Sequence, residues 1–109
     1  MGKSSQRKGR AGELELAKLL NVQPGKAINC GTKPDLIGLP GIHIECKRAE
    51  RLNISEAMAQ AVRDSEHFQD GAPTVFHRRN RETWLVTMRL DDWLELYRRG
   101  SGDNAAIET

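Results

Sequence analysis

Asp35, Glu45 and Lys47 are the residues of this chain whose types and spacing can do chemistry together. Asp35 follows Pro34, and ten positions further on comes the run Glu45-Cys46-Lys47. Two carboxylates and an amine within reach of one another can hold a hard cation against a phosphodiester. Hard divalent cations such as Mg²⁺ take oxygen ligands, keep several waters, and are commonly held by one or two carboxylates plus substrate phosphate. An ion so placed polarises a phosphoryl oxygen and acidifies a bound water. An amine beside it orients or deprotonates the attacking water, or neutralises charge developing on the phosphorus oxygens. The pattern alone is not specific: 29% of the residues are charged, and the same three would also make a solvated strand face.

The elements that must position these groups follow from the flanking residues. Asp35-Leu36-Ile37-Gly38-Leu39 and Ile42-His43-Ile44-Glu45-Cys46-Lys47 are short, rich in β-branched residues and parted by Pro40-Gly41, which predicts a β-hairpin. Alternation puts Glu45 and Lys47 on one face and Ile42, Ile44 and Cys46 on the other. With Pro40 and Gly41 alone as the loop, Asp35 would oppose Cys46 and point away from Glu45. A three-residue loop, Leu39-Pro40-Gly41 with Gly41 in the left-handed region, sets Asp35 opposite Glu45, and this odd-length loop is the predicted one. His43 shares the face of Glu45 by parity. A lone histidine there reads as a surface group, although histidine binds metals readily.

Helices must flank this hairpin. Residues 9–20 carry apolar side chains at Leu16, Leu19 and Leu20, with Leu14 and Ala17 beside them, at helical spacing. Glu13 falls in the first turn, where an anion also suits the positive end of the helix dipole. Ile54–Phe68 predicts a second helix, capped by Asn53 or Ser55, with Ala57, Met58, Ala61 and Val62 on one side and Gln60 as a polar position. His67 near its end suits the helix C-terminus. Thr74-Val75-Phe76-His77 and Thr83-Trp84-Leu85-Val86-Thr87-Met88 predict two further strands joined by a basic turn. Leu90-Asp91-Asp92-Trp93-Leu94-Glu95-Leu96-Tyr97 predicts a closing helix with Asp91 as N-cap. Residues 27–30 predict a short first strand. Trp84 and Trp93 read as core or interface anchors.

A helix bearing Glu13, a strand opening with Pro34-Asp35, a strand bearing Glu45-Cys46-Lys47 and a helix bearing Gln60 together resemble the PD-(D/E)XK nuclease superfamily. The short chain, Arg7-Lys8-Gly9, Gly12-Glu13-Leu14-Glu15-Leu16 and Gly31-Thr32-Lys33-Pro34-Asp35-Leu36-Ile37 resemble the archaeal-type Holliday junction resolvases. The Gln60 helix and the strand pair after it are similar to the stand-alone VRR-type nucleases of phages. The resemblance spans about residues 7–97. It implies Asp35 and Glu45 as metal ligands, the Cys46 carbonyl as a further ligand, Lys47 as the catalytic lysine, Glu13 holding the metal through water, and Gln60 positioning the site. The implied cofactor is Mg²⁺ or Mn²⁺. Cys46 departs from the family pattern by replacing the usual aliphatic residue, a small change because Cys behaves as a small buried hydrophobe.

The implied fold is α/β, a small mixed β-sheet flanked by helices on a restriction-endonuclease-like core in the order αβββαββα. A chain of 109 residues, 38% of them hydrophobic, holds one modest core. The reading places a basic N-terminal arm at 1–8, a single nuclease domain at 9–99 and a disordered tail at 100–109. Cys30 and Cys46 read as thiols, and two isolated cysteines make no zinc site. No apolar run reaches membrane-spanning length and no signal-peptide core is present, which predicts a cytoplasmic protein of a bacterial or phage-infected cell, without membrane partners.

Net charge is only +2, but the basic residues cluster: Lys8 and Arg10 near the start, Lys33 before the Pro-Asp pair, Arg48 after Lys47, and Arg78, Arg79 and Arg81 in the basic turn. Such clusters neutralise phosphates and release counterions. The expected activity is metal-dependent cleavage of DNA phosphodiesters, branched or duplex, with selectivity for structures such as junctions or flaps. A domain this small, acting on a two-strand substrate, is expected as a two-fold homodimer. The alternative is a non-catalytic DNA-binding accessory on the same fold. An acidic cluster, which repels phosphate unless a cation intervenes, argues against it. A sequence-specific restriction-type enzyme is disfavoured because the chain has little room for a base-reading insertion.

Overall fold

A computed structural model describes residues 2–25 and 33–101 of the chain, with side chains from Gly9 onward within them. The elements run α1 (Gly2–Leu20), β1 (Gln23–Pro24), β2 (Leu36–Ile37), β3 (Ile42–Arg48), α2 (Ile54–Phe68), β4 (Ala72–Arg78), β5 (Leu85–Met88) and α3 (Leu90–Ser101). From β2 onward this is the predicted order; β1 at Gln23–Pro24 is not among the predicted strands. The first strand of the described residues is Gln23–Pro24, and the predicted strand at 27–30 lies outside them.

The five strands make one sheet in sequence order. All neighbours are antiparallel except β3 and β4, which run parallel over their full length from Ile42↔Ala72 to Arg48↔Arg78. A parallel pair cannot be closed by a tight turn and needs a crossover. The helix α2 supplies it, and so must lie across a face of β3. Asn53 caps α2, its side chain accepting the Glu56 backbone N–H at 3.1 Å, as one of the two predicted caps. The helix ends at Gln69, which adopts the left-handed conformation and returns its N–H to the Ser65 carbonyl.

Both faces of the sheet are covered near its centre. On one, Leu36, Ile44 and Phe76 pack against Leu16 and Ala17 of α1. On the other, Val75 packs against Ala57 and Ala61 of α2. Alternation along β3 therefore sends Ile44 to α1, and His43, Glu45 and Lys47 to α2. The chemical face of the hairpin is thus roofed by a helix rather than open to water, and the two alanines let that roof come close.

Several boundaries differ from the sequence reading: β2 covers only Leu36–Ile37, β4 runs over Ala72–Arg78, and β5 begins at Leu85 rather than Thr83. The helix α1 continues back through residues 2–8, assigned above to a basic arm. The helix α3 continues through Gly100 and Ser101, assigned above to a tail. The cap also differs: the helix begins at Leu90 and Trp93 N–H donates to the Arg89 carbonyl, so Asp91 lies inside the first turn and is not the N-cap. An acid in that turn still suits the helix dipole, which is why the sequence signal is the same for both placements. No helix among the described residues is long and apolar enough to cross a membrane.

Candidate functional site

The β2–β3 hairpin decides where Asp35 points. Leu36 pairs with Ile44, a register that leaves Leu39-Pro40-Gly41 as a three-residue loop and sets Asp35 opposite Glu45. Gly41 has φ +85, and Ile42 N–H closes the turn on the Leu39 carbonyl at 3.0 Å. A side chain would be strained in that conformation. β2 ends at Ile37 on one side and begins only at Leu36 on the other, so the edge of β3 is open beside Asp35. There the Asp35 carboxylate accepts the Cys46 N–H at 2.8 Å. A strand residue sends its N–H and C=O to the same side, which turns the Cys46 carbonyl toward Asp35 as well.

Burial pushes the Asp35 carboxyl up to about 7, the Glu45 charge adds to the rise, and the Cys46 N–H bond opposes it. Glu13 also raises it and Lys47 lowers it. Glu13 is itself raised, first by burial, with Lys33 working against that and Glu45 adding to it. The helix α1 brings Glu13 to this end because it crosses β3 closely: a Cβ on Gly12 would stand 2.9 Å from Arg48 Cβ. The Cys46 thiol is pushed up to about 12, chiefly by burial and then by Asp35, Glu13 and Glu45, so it stays protonated.

Lys47 is placed by α2. Its Nζ donates to Gln60 Oε1 at 2.9 Å and stands 3.7 Å from Glu45 Oε2. Gln60 is about two turns along α2 from its Asn53 cap and next to Ala61, which is fully buried against the sheet. Glu13 of α1, Asp35 just before β2, Glu45 and Lys47 of β3 and Gln60 of α2 thus gather at the open end of β3.

Three further residues belong to this region. His43 is only 1% exposed, not the surface group read from the sequence. Its Nδ1 lies 2.8 and 2.9 Å from the two oxygens of Asp70, and its Nε2 lies 3.1 Å from Glu45 Oε1. Burial pulls the His43 pKa down, but the bonds to Glu45 and Asp70 outweigh it and leave it raised. Among the described residues, His43, Glu45 and Asp64 form a set of ligand atoms all within 4.8 Å of one another. Asp35 and Glu13 are not in that set. Parity along β3 put His43 beside Glu45. Asp64 sits four residues after Gln60, on the same stripe of α2. Only the covering of this face by α2 joins the two signals.

The predicted DNA-contacting cations divide. Arg78 serves the fold: its guanidinium bonds both Glu15 oxygens at 2.7 and 3.0 Å and lies 5.7 Å over the Trp84 ring, whose N–H also reaches Glu15 at 3.1 Å. It ties α1 to β4, is 12% exposed, and through its hydrogen bonds holds the Glu15 carboxyl below its ordinary value. Its predicted role toward DNA would therefore have to compete with this pairing to Glu15. Arg48 donates to Asn80 Oδ1 at 3.1 Å. Arg10, Lys33, Arg79 and Arg81 are exposed. The Lys8 side chain lies outside the described residues. Arg51 and Arg63, not among the predicted set, line a groove of about 430 Å³ with Lys47, Glu56 and Gln60. On the other side, Arg10, Lys33 and Glu13 line a second groove of about 540 Å³. Trp84 packs against the α1 core, whereas Trp93 is 47% exposed and stacked on Tyr97.

No family model, curated protein or solved structure matches the chain.

Proposed function

We propose that the protein is a metal-dependent DNA endonuclease of the PD-(D/E)XK type, selective for branched substrates, using Mg²⁺ or Mn²⁺. The observation that carries this reading is the facing pair Asp35 and Glu45 with the Lys47–Gln60 bond beside it. The pair fits a divalent ion: two facing carboxylates, one raised to about 7 by burial and by the other's charge, are unfavourable without a cation. Asp35, Glu45 and the Cys46 carbonyl would hold the ion, with Glu13 behind them through water. When bound, it would polarise the scissile phosphate and acidify a water.

The remaining work falls to the chain. Gln60 fixes the Lys47 ammonium by taking one of its three donors, leaving two for water or a phosphate oxygen. Lys47 orients the attacking water and offsets charge developing on phosphorus. The Cys46 N–H steadies the Asp35 carboxylate. Exposed Arg10 and Lys33 on one groove and Arg51 and Arg63 on the other flank this end with positive charge, suited to two strands of backbone. Such a protein acts as a two-fold homodimer in the cytoplasm.

The test is incubation of the protein and of Lys47→Ala with labelled four-way junction, flap and linear duplex, each with Mg²⁺, Mn²⁺ or chelator. Cutting that needs metal and falls about 100-fold or more in the variant is the expected result. Salt-sensitive binding without cutting by either protein would replace the enzyme with the accessory-binder reading.

A further inference from the structure

His43 is gripped from both sides by carboxylates and is itself buried: His43 is 1% exposed and Glu45 3%, with Asp70 on the outer side 23% exposed. Carboxylate oxygens offer only lone pairs, so the Nδ1 facing Asp70 at 2.8 Å carries the ring N–H. A neutral ring then turns the lone pair of Nε2 toward Glu45 Oε1, 3.1 Å away. Two lone pairs at that separation between buried groups require a positive centre, a proton or a cation, between them. A second ring proton would serve that pair but would leave Asp64 out. Asp64 brings a third ligand atom within 4.8 Å of the other two, and no hydrogen bond among the described residues occupies its carboxylate. One divalent ion answers all three groups. A metal-bound imidazole almost always donates its other N–H to a carboxylate, the relation His43 has with Asp70.

We propose that His43, Glu45 and Asp64 bind a divalent transition-metal ion on the α2 side of β3, with Asp70 orienting His43. One imidazole and two carboxylates suit Zn²⁺, Co²⁺ or Mn²⁺, whereas Mg²⁺ prefers oxygen ligands alone. The ion joins β3 to α2 and fixes Glu45 from behind. It shares Glu45 with the proposed catalytic ion but not Asp35, and it stands whether or not the protein cuts DNA.

The test is titration of the chelator-stripped full chain with Co²⁺ in excess Mg²⁺, followed by its visible absorption, then displacement by Zn²⁺. The variants are Asp35→Asn, Asp64→Asn, His43→Gln and Asp70→Asn, each checked for folding by circular dichroism. With Mg²⁺ in excess to fill the Asp35 site, one equivalent of Co²⁺ should still bind, be displaced by Zn²⁺, and persist in Asp35→Asn. Binding should vanish in Asp64→Asn, a half-buried helix position that should fold, and in His43→Gln. It should weaken about 10- to 100-fold in Asp70→Asn. No binding to the unaltered chain, loss in Asp35→Asn, or retention in Asp64→Asn would each overturn the site. None of these readings uses DNA, so failure here is separable from failure to cut.

Discussion

Asp35 is a carboxyl that the fold holds near neutrality between protonated and charged forms, because it is buried and faces Glu45. The consequence for stability has a definite sign. An unfolded Asp35 ionises around 3.8, while the folded one keeps its proton to about 7, so between these values the folded state binds more protons. The Asp35 contribution to the stability of the metal-free protein therefore falls as pH rises from about 4 through about 7, by up to a few kcal/mol. The raised His43 works in the same direction, its contribution being full below the ordinary imidazole range and lost above it. Denaturant melts across this range should show the fall in the presence of chelator. It should be flatter in Asp35→Asn, which removes the titrating group, and reversed or absent with saturating Mn²⁺, which favours the ionised carboxylates. A chelated wild type whose stability follows the same course over that interval as Asp35→Asn would contradict the burial of Asp35.

At the scale of the element, one loop residue governs the site. Gly41 at φ +85 permits the three-residue turn, and the turn sets the register of β2 and hence that Asp35, just before it, opposes Glu45. A slip by one residue would send Asp35 to the α1 face and Leu36 to the α2 face, burying a carboxylate among Leu16 and Ala17. Gly41→Val should cost roughly 1–2 kcal/mol for the left-handed conformation alone, read from the denaturant midpoint. It should also reduce DNA cutting by more than its stability loss explains, since any relaxation of the turn moves Asp35. An equal effect on stability and none on activity would separate the turn from the site. The hairpin, α2 with its Asn53 cap, and the Glu45/Lys47 face were all legible, because each rests on a local pattern: turn residues, a cap, a period of two. The roof over that face was not, because neither His43 nor Asp64 carries a local sign of the other.

At the scale of the whole molecule, α3 is the element the monomer leaves unfinished. None of its residues is buried, and Leu90, Trp93, Leu96 and Tyr97 are exposed beside Leu85 and Val86 of β5. Its first turn is acidic, with Asp91 and Asp92, and its last is basic, with Arg98 and Arg99. Two copies of such a helix laid antiparallel across a two-fold axis bury both apolar stripes and set acid against base at each end, the self-complementarity a two-fold contact needs. This is the contact assigned to the proposed homodimer. Trp93→Glu should convert dimer to monomer in sedimentation or light scattering with the far-UV spectrum kept, because Trp93 holds no part of the core. A wild type that is monomeric at high micromolar concentration would remove the dimer and leave the chemistry untouched.

The sequence by itself determined the order of elements from β2 onward and the hairpin register that sets Asp35 opposite Glu45, since strand parity, turn chemistry and capping act over a few residues. It could not determine that Arg78 is bound to Glu15, 63 positions away, or that Asp70 and Glu45 enclose His43. Those pairings exist only because the parallel β3–β4 pair forces α2 across the sheet and α1 packs the opposite face, and contact between distant segments leaves no periodic trace in the chain.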